Sequence, residues 1–178
     1  MTLHEYQILA ARTSQWQPGH PDHGKERHRA YGAISLSGES GEVVDLLKKH
    51  QFNGHPIDRA KLVEESGDVM WSVACIADAH GFDVRLRHLA CTGLGLTYPS
   101  LHLGRAAGIV VHSIARMGET TSIDLANVVG ALESCIAPHG ITIEEACEHN
   151  VSKLRKRYPD GYSDAASIAR RDVREVAG

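Results

Sequence analysis

Apolar residues recur every three to four positions over most of the chain, which is the period of an amphipathic α-helix rather than the alternation of a strand. Glycine and proline positions divide this pattern into separate segments. It predicts helices over residues 3–15, 25–50, 59–80, 84–91, 101–117, 123–137 and 143–157, and a short helix or frayed tail over 165–177. We therefore expect an all-α fold.

Two parts of the chain resemble each other. Residues 36–44 (LSGESGEVV) align without gaps with 103–111 (LGRAAGIVV), and the CIA tripeptides at 75–77 and 135–137 follow in the same order. The pattern predicts a helical bundle built from two antiparallel helix pairs, 33–83 as copy one and 101–140 as copy two, related by a degenerate internal duplication. Chance similarity between two hairpins rich in alanine and valine is the alternative.

Composition narrows the class of protein. The 178 residues suit a single domain, and the net charge of −3 gives no reason to expect a nucleic acid polymer as a partner. The four cysteines form no C-x-x-C pair, and the chain has neither a long apolar run nor a signal-like start. These features predict a cytoplasmic protein that does not enter a membrane.

Four carboxylates form two pairs at a spacing of three residues. Glu39 and Glu42 share one face of a predicted helix, and Glu65 and Asp68 share one face of the next. Such a pair alone is an ordinary surface pattern. Two pairs on neighbouring helices, flanked by glycine and serine, predict a site for Mg²⁺, with Mn²⁺ as an alternative, because these hard cations prefer oxygen ligands.

A basic stripe lies near the end of the chain. Asn150, Lys153 and Arg157 fall on one side of the last strong helix, and Lys61 stands one turn before Glu65. Side chains of these types bind phosphate groups. The alternative for the stripe is that basic residues complement the dipole at a helix C-terminus.

Together these motifs resemble the MazG-like branch of the all-α nucleoside triphosphate pyrophosphohydrolases. The resemblance lies in segments 38–42 (GESGE), 64–71 (EESGDVMW) and 150–162 (NVSKLRKRYPDGY), with EYQ at 5–7 also similar. It implies one MazG-like domain over residues 1–178, with a basic tail over 141–163.

The resemblance also implies a function. Members of this family use Mg²⁺ held by the four acids to hydrolyse a nucleoside triphosphate, often a deoxynucleotide, to the monophosphate and pyrophosphate. Glu39 would help to deprotonate the attacking water. The residues expected to be catalytic are therefore Glu39, Lys153 and Arg157. The residues expected to bind substrate are Lys61, Asn150, Lys153, Arg157 and Tyr158.

The chain departs from the family pattern between its second and third motifs, where about 57 residues (84–140) intervene. In the second copy the acid positions are occupied by alanine, isoleucine, leucine and valine, at Ala106, Ile109, Leu125 and Val128. The basic motif follows only this second copy. We therefore expect one composite site, with acids from copy one and cations from the tail, in a monomeric pseudo-dimer or a homodimer.

Two other functions fit the same motifs. One is a non-catalytic helical protein that binds nucleotide or metal. The other is a pyrophosphohydrolase for phosphoribosyl-ATP or another modified nucleotide.

Overall fold

A computed structural model of the protein describes residues 1–16, 24–83 and 98–169, and contains no strand within these ranges. The predicted all-α class is therefore confirmed. The helices are α1 Leu3–Ala11, α2 Lys25–Asn53, α3 Arg59–His80, α4 Pro99–Met117, α5 Ser122–Ile136, α6 Ile143–Arg157 and α7 Asp164–Ala169, with a 3-10 turn at Ala137–His139 after α5. The predicted helix over 84–91 and the last part of the predicted tail helix lie outside the described residues.

Helix α3 begins and ends where the sequence predicts. The Asp58 side chain accepts the backbone N–H of Lys61, and Gly81 closes the helix with a positive φ of 72°. Helix α1 is shorter than predicted. The hydroxyl of Thr13 donates to the carbonyl of Ala10, which competes with continuation of the helix.

The helices pack as two hairpins, α2–α3 and α4–α5, with α1 and α6 against the first of them. Helix α2 packs on α3 and α4, and α4 packs on α5, while α3 also holds α1 and α6. A duplication would place the equivalent helices α2 and α4 together in this way, although the duplication itself stays a prediction. The shared core is lined by aliphatic side chains with no measurable exposure, including Leu36, Leu62, Met70, Ile76, Leu103, Leu125 and Leu132.

Contacts across the α2–α3 hairpin establish its antiparallel register. Gly32 lies beside Ile76, the hydroxyls of Ser35 and Ser72 are 2.8 Å apart, and Glu42 approaches Glu65. Residue numbers along α3 thus decrease as those along the facing side of α2 increase. Both acid pairs come to the same level of the bundle as a result.

Helix α6 lies unusually close to α3. A Cβ atom added at Gly67 would stand 2.7 Å from the carbonyl oxygen of Ala146 and 2.8 Å from the Cβ of Asn150. Only glycine permits this approach, because real Cβ atoms do not come so near to other heavy atoms. The basic residues of α6 are thereby brought against the acids of α3.

The described cysteines, Cys75, Cys135 and Cys147, are buried free thiols. Within the described residues, none of the helices combines the length and the apolar character that a bilayer span requires.

Candidate active site

A cavity of about 460 Å³ opens between α2, α3 and α6. All four predicted acids, Lys61, Lys153, Arg157 and Tyr158 line it, whereas Asn150 does not. Further lining comes from the segment after α1 and from the chain that follows α6. The side chains added by the structure include Thr13, Gln15, Tyr31, Ser35, Glu64, Trp71 and Tyr162.

Three carboxylates meet at one end of the cavity. Oxygen atoms of Glu39, Glu42 and Glu65 all lie within 4.8 Å of one another. Glu65 is only 2% exposed, and its Oε1 forms an ion pair with the Lys61 ammonium at 2.5 Å. This group of three residues is called the acid cluster below.

The acid cluster is electrostatically unfavourable without a cation. Burial, and then the charges of Asp68, Glu42 and Glu65, raise the pKa of Glu39 to about 7. Burial is also the main reason that the pKa of Glu65 is raised, which Lys61 opposes and a hydrogen bond with Glu42 reinforces. A hard divalent cation fits this cluster, because such a cation prefers oxygen ligands. Its charge would also favour the ionised forms of these carboxylates, whose ionisation is otherwise suppressed.

Asp68, the fourth predicted ligand, is held differently. Its Oδ1 and Oδ2 lie 2.7 and 2.5 Å from the Lys153 ammonium, and Oδ1 also accepts the Asn150 amide at 2.8 Å. Burial raises the pKa of Asp68, and the charge of Lys153 is the largest opposing influence. The tail and the acids therefore do meet, as a composite site requires.

Asn150 lies beneath Asp68 rather than in the cavity. It has no exposed surface, and its Oδ1 accepts the hydroxyl of Tyr6 at 2.9 Å while its Nδ2 donates to Asp68. Both amide atoms are thus engaged by the protein. This geometry favours a role in orienting Asp68 over the predicted contact with substrate.

The other predicted cations lie along the cavity wall. Lys61 pairs with Glu65 and, at 3.4 Å, with Glu64, and these partners raise its pKa. The Arg157 guanidinium lies 6.0 Å from the centre of the Tyr158 ring. Lys153 and Arg157 stand one helical turn apart, so positive charge extends from Asp68 along α6.

Aromatic side chains line the other end of the cavity. The rings of Tyr31 and Trp71 meet edge to face with centroids 6.1 Å apart, and the Trp71 indole N–H donates to Thr13 Oγ1 at 3.0 Å. Tyr31 precedes Glu39 by eight residues on α2, a separation of about 12 Å along a helix. The cavity therefore has an acidic end and an aromatic end.

Several residues of the site were not among the predicted site residues. Tyr6 and Tyr162 lie within the segments that carry the resemblance, which is a signal that could have identified them. Gln15 carries no such signal and reaches the site only through tertiary packing. Glu64 stands beside the predicted Glu65, and its Oε1 lies 3.6 Å from Lys153. Its place in the EESGD motif is a signal that could have identified it.

We expect the substitution Tyr6→Phe to weaken the site without touching the cavity. It removes the donor that fixes the orientation of the Asn150 amide, and an unsatisfied buried polar group costs about 1–3 kcal/mol. The free energy of unfolding in urea should fall by that amount, and turnover should fall about 10-fold as Asp68 loses its orientation. Tyr98→Phe, at an exposed tyrosine, is the control and should change neither; equal behaviour of the two variants would contradict the role given to Tyr6.

The raised pKa of Glu39 predicts a pH dependence of stability in the metal-free protein. Between its ordinary value of 4.5 and about 7, the folded state binds more protons at Glu39 than the unfolded state. The free energy of unfolding should therefore fall as the pH rises through this range, and Glu39→Gln should flatten the fall. Urea denaturation at a series of pH values measures it, with Glu26→Gln, outside the cavity, as control. An unchanged slope in Glu39→Gln would contradict the assignment.

Comparison with known proteins agrees with this geometry. Residues 28–86 match the family model described as MazG nucleotide pyrophosphohydrolase domain. No curated protein and no solved structure matches the chain. The matched segment contains α3 and nearly all of α2, and therefore all four predicted acids. The resemblance predicted from the motifs is therefore confirmed as a similarity over residues 28–86, and this match supports nucleotide pyrophosphohydrolase activity in general.

Proposed function

We propose that the protein is a Mg²⁺-dependent nucleoside triphosphate pyrophosphohydrolase that removes ribo- or deoxynucleotides from the cytoplasmic pool. The observation that carries this proposal is the layout of one cavity, with clustered carboxylates and paired cations at one end and aromatic rings at the other. A triphosphate suits the charged end, and a nucleobase suits the aromatic end.

The acid cluster would hold the cation, and Mn²⁺ shares the same preference for oxygen ligands. A bound Mg²⁺ would neutralise charge on the triphosphate and polarise its phosphoryl oxygens. Asp68, anchored by Asn150 and Lys153, completes the acidic end.

The chain's own groups then act on the substrate. Lys153 and Arg157 bind phosphoryl oxygens, with Lys61 and Tyr158 at the same wall, and stabilise the charge that develops there. Glu39, which lies in the acid cluster at this end of the cavity, accepts the proton of the attacking water.

The reaction consumes one water for each nucleotide. The water oxygen forms a bond to phosphorus, its proton passes to Glu39, and the anhydride linkage between the α- and β-phosphates breaks. The products are the nucleoside monophosphate and pyrophosphate.

Pyrophosphate release from a panel of ribo- and deoxynucleoside triphosphates, with phosphoribosyl-ATP included, tests the proposal in the presence of Mg²⁺. We expect release from at least one triphosphate, and a loss of about 10²-fold or more in kcat/KM for Glu42→Gln, which removes one charge from the acid cluster. Asp45→Asn is the matched control one turn further along α2, where the carboxylate pairs with Lys48 and Lys49.

The outcomes separate the competing functions. Pyrophosphate release from phosphoribosyl-ATP alone would identify a different substrate for the same site. Binding of nucleotides without release from any of them would contradict the enzyme and indicate a non-catalytic binding protein.

A further inference from the structure

The aromatic end of the cavity contains an amide group that no family motif includes. Gln15 lines the cavity beside Tyr162, and Gln15 Oε1 lies 3.2 Å from the Tyr162 hydroxyl oxygen. The same hydroxyl lies 2.8 Å from Oδ1 of Asp164. Tyr162 is thus placed between an amide and a carboxylate.

One hydroxyl cannot donate to both of these oxygens, because it has a single hydrogen. The carboxylate is the nearer and, as a charged group, the stronger acceptor. Burial, and next the hydrogen bond to Asp164, raise the pKa of Tyr162 to about 12, so the hydroxyl keeps its proton at neutral pH. The proton therefore points toward Asp164, and the side facing Gln15 is a lone pair.

A lone pair on Tyr162 requires a donor from Gln15. The amide oxygen and nitrogen are nearly isosteric, and a half-turn of the terminal amide exchanges their positions without altering the packing. Nε2 then donates to the Tyr162 oxygen. The Gln15 carbonyl oxygen is left as an acceptor, and Gln15 has no other hydrogen bond within the described residues.

We propose that the carbonyl oxygen of Gln15 accepts the exocyclic amino group of the substrate base, so that the site selects cytosine or adenine nucleotides over their keto counterparts. A base lying against the rings of Tyr31 and Trp71 would bring its edge toward Gln15, which lines the same cavity. A keto oxygen in the same place would face the amide oxygen without a hydrogen between them. This inference rests on the proposed function and adds the class of base to it.

Matched nucleotide pairs test the inference directly. Values of kcat/KM for pyrophosphate release are measured with Mg²⁺ for dCTP against dUTP and for dATP against dITP, each pair exchanging an amino for a keto group. We expect at least one pair to show a preference of about 10-fold or more for the amino member. Gln15→Leu should bring that ratio close to one while dUTP or dITP hydrolysis continues.

Two further variants separate the amide from general effects on the cavity. Tyr162→Phe should lower the ratio partially, because the amide loses the partner that orients it. Ser167→Ala, which changes another lining residue, should leave the ratio as in the wild type. An unchanged ratio in Gln15→Leu would overturn the role of Gln15.

Failure of the inference and failure of the proposed function give different results. Hydrolysis with equal or reversed ratios for both pairs overturns the inference and leaves the pyrophosphohydrolase intact. If no nucleotide is hydrolysed, the proposed function fails, and calorimetric titration of the same four nucleotides with Mg²⁺ decides the inference. Tighter binding of the amino members would support it, whereas equal affinities or no binding would overturn it.

Discussion

Replacing Glu65 by glutamine should stabilise the metal-free protein and abolish its activity at the same time. The Glu65 carboxylate is 2% exposed, and burial raises its pKa despite the ion pair with Lys61, whose ammonium is partly exposed and also pairs with Glu64. A neutral amide of the same shape removes the cost of the buried charge and can donate to Glu42. We expect the free energy of unfolding to rise by about 1 kcal/mol and kcat/KM to fall by at least about 10²-fold.

Urea denaturation with and without Mg²⁺ distinguishes this outcome from ordinary core damage. The wild type should gain stability as Mg²⁺ binds the folded state, whereas Glu65→Gln should gain much less. Glu64→Gln is the control, since Glu64 lies next in sequence and outside the acid cluster. A Glu65→Gln variant that is less stable without metal, or that responds to Mg²⁺ like the wild type, would contradict the site.

The two predicted acid pairs differ in how the protein balances their negative charge. Asp68 has its own cation in Lys153, whereas Glu39, Glu42 and Glu65 share a small space with Lys61 on one side. Protein groups thus neutralise the charge of Asp68 but only part of the charge of the acid cluster. That difference follows from the position of α6, which passes beside Asp68.

Much of the fold and of the candidate site could be predicted from local sequence. Helix α3 has an Asp58 cap and a Gly81 terminus, and α6 has a Thr142 cap, so their boundaries follow from residues within a turn of each end. The two acid pairs follow from helical spacing on adjacent helices. These features depend on contacts that are short in sequence.

The remaining features depend on contacts between distant segments. The buried position of Asn150 results from Tyr6, 144 positions away, and from the absence of a side chain at Gly67. A polar side chain on a basic helical stripe has the same sequence pattern whether it faces a ligand or a neighbouring helix. The Gln15–Tyr162 contact, across 147 positions, is likewise inaccessible to spacing rules.

Gly67→Ala should impair both the packing of the bundle and its activity. Its new Cβ would lie 2.7 Å from the Ala146 carbonyl oxygen, which belongs to the backbone and can move only with α6. Overpacking of this kind costs about 1–3 kcal/mol, which outweighs the helix propensity of about 1 kcal/mol gained by replacing glycine with alanine. We expect a net loss of up to about 2 kcal/mol in urea denaturation.

The same shift should impair catalysis, because α6 carries the ammonium that pairs with Asp68. A displacement near 1 Å can cost about 10²-fold in rate, so kcat/KM for pyrophosphate release should fall to that extent. Gly108→Ala on α4 is the matched control, since a Cβ there would meet nothing within 4 Å. It should gain about 0.5–1 kcal/mol and retain full activity. If Gly67→Ala behaves like Gly108→Ala, then close contact between α3 and α6 does not hold the site together.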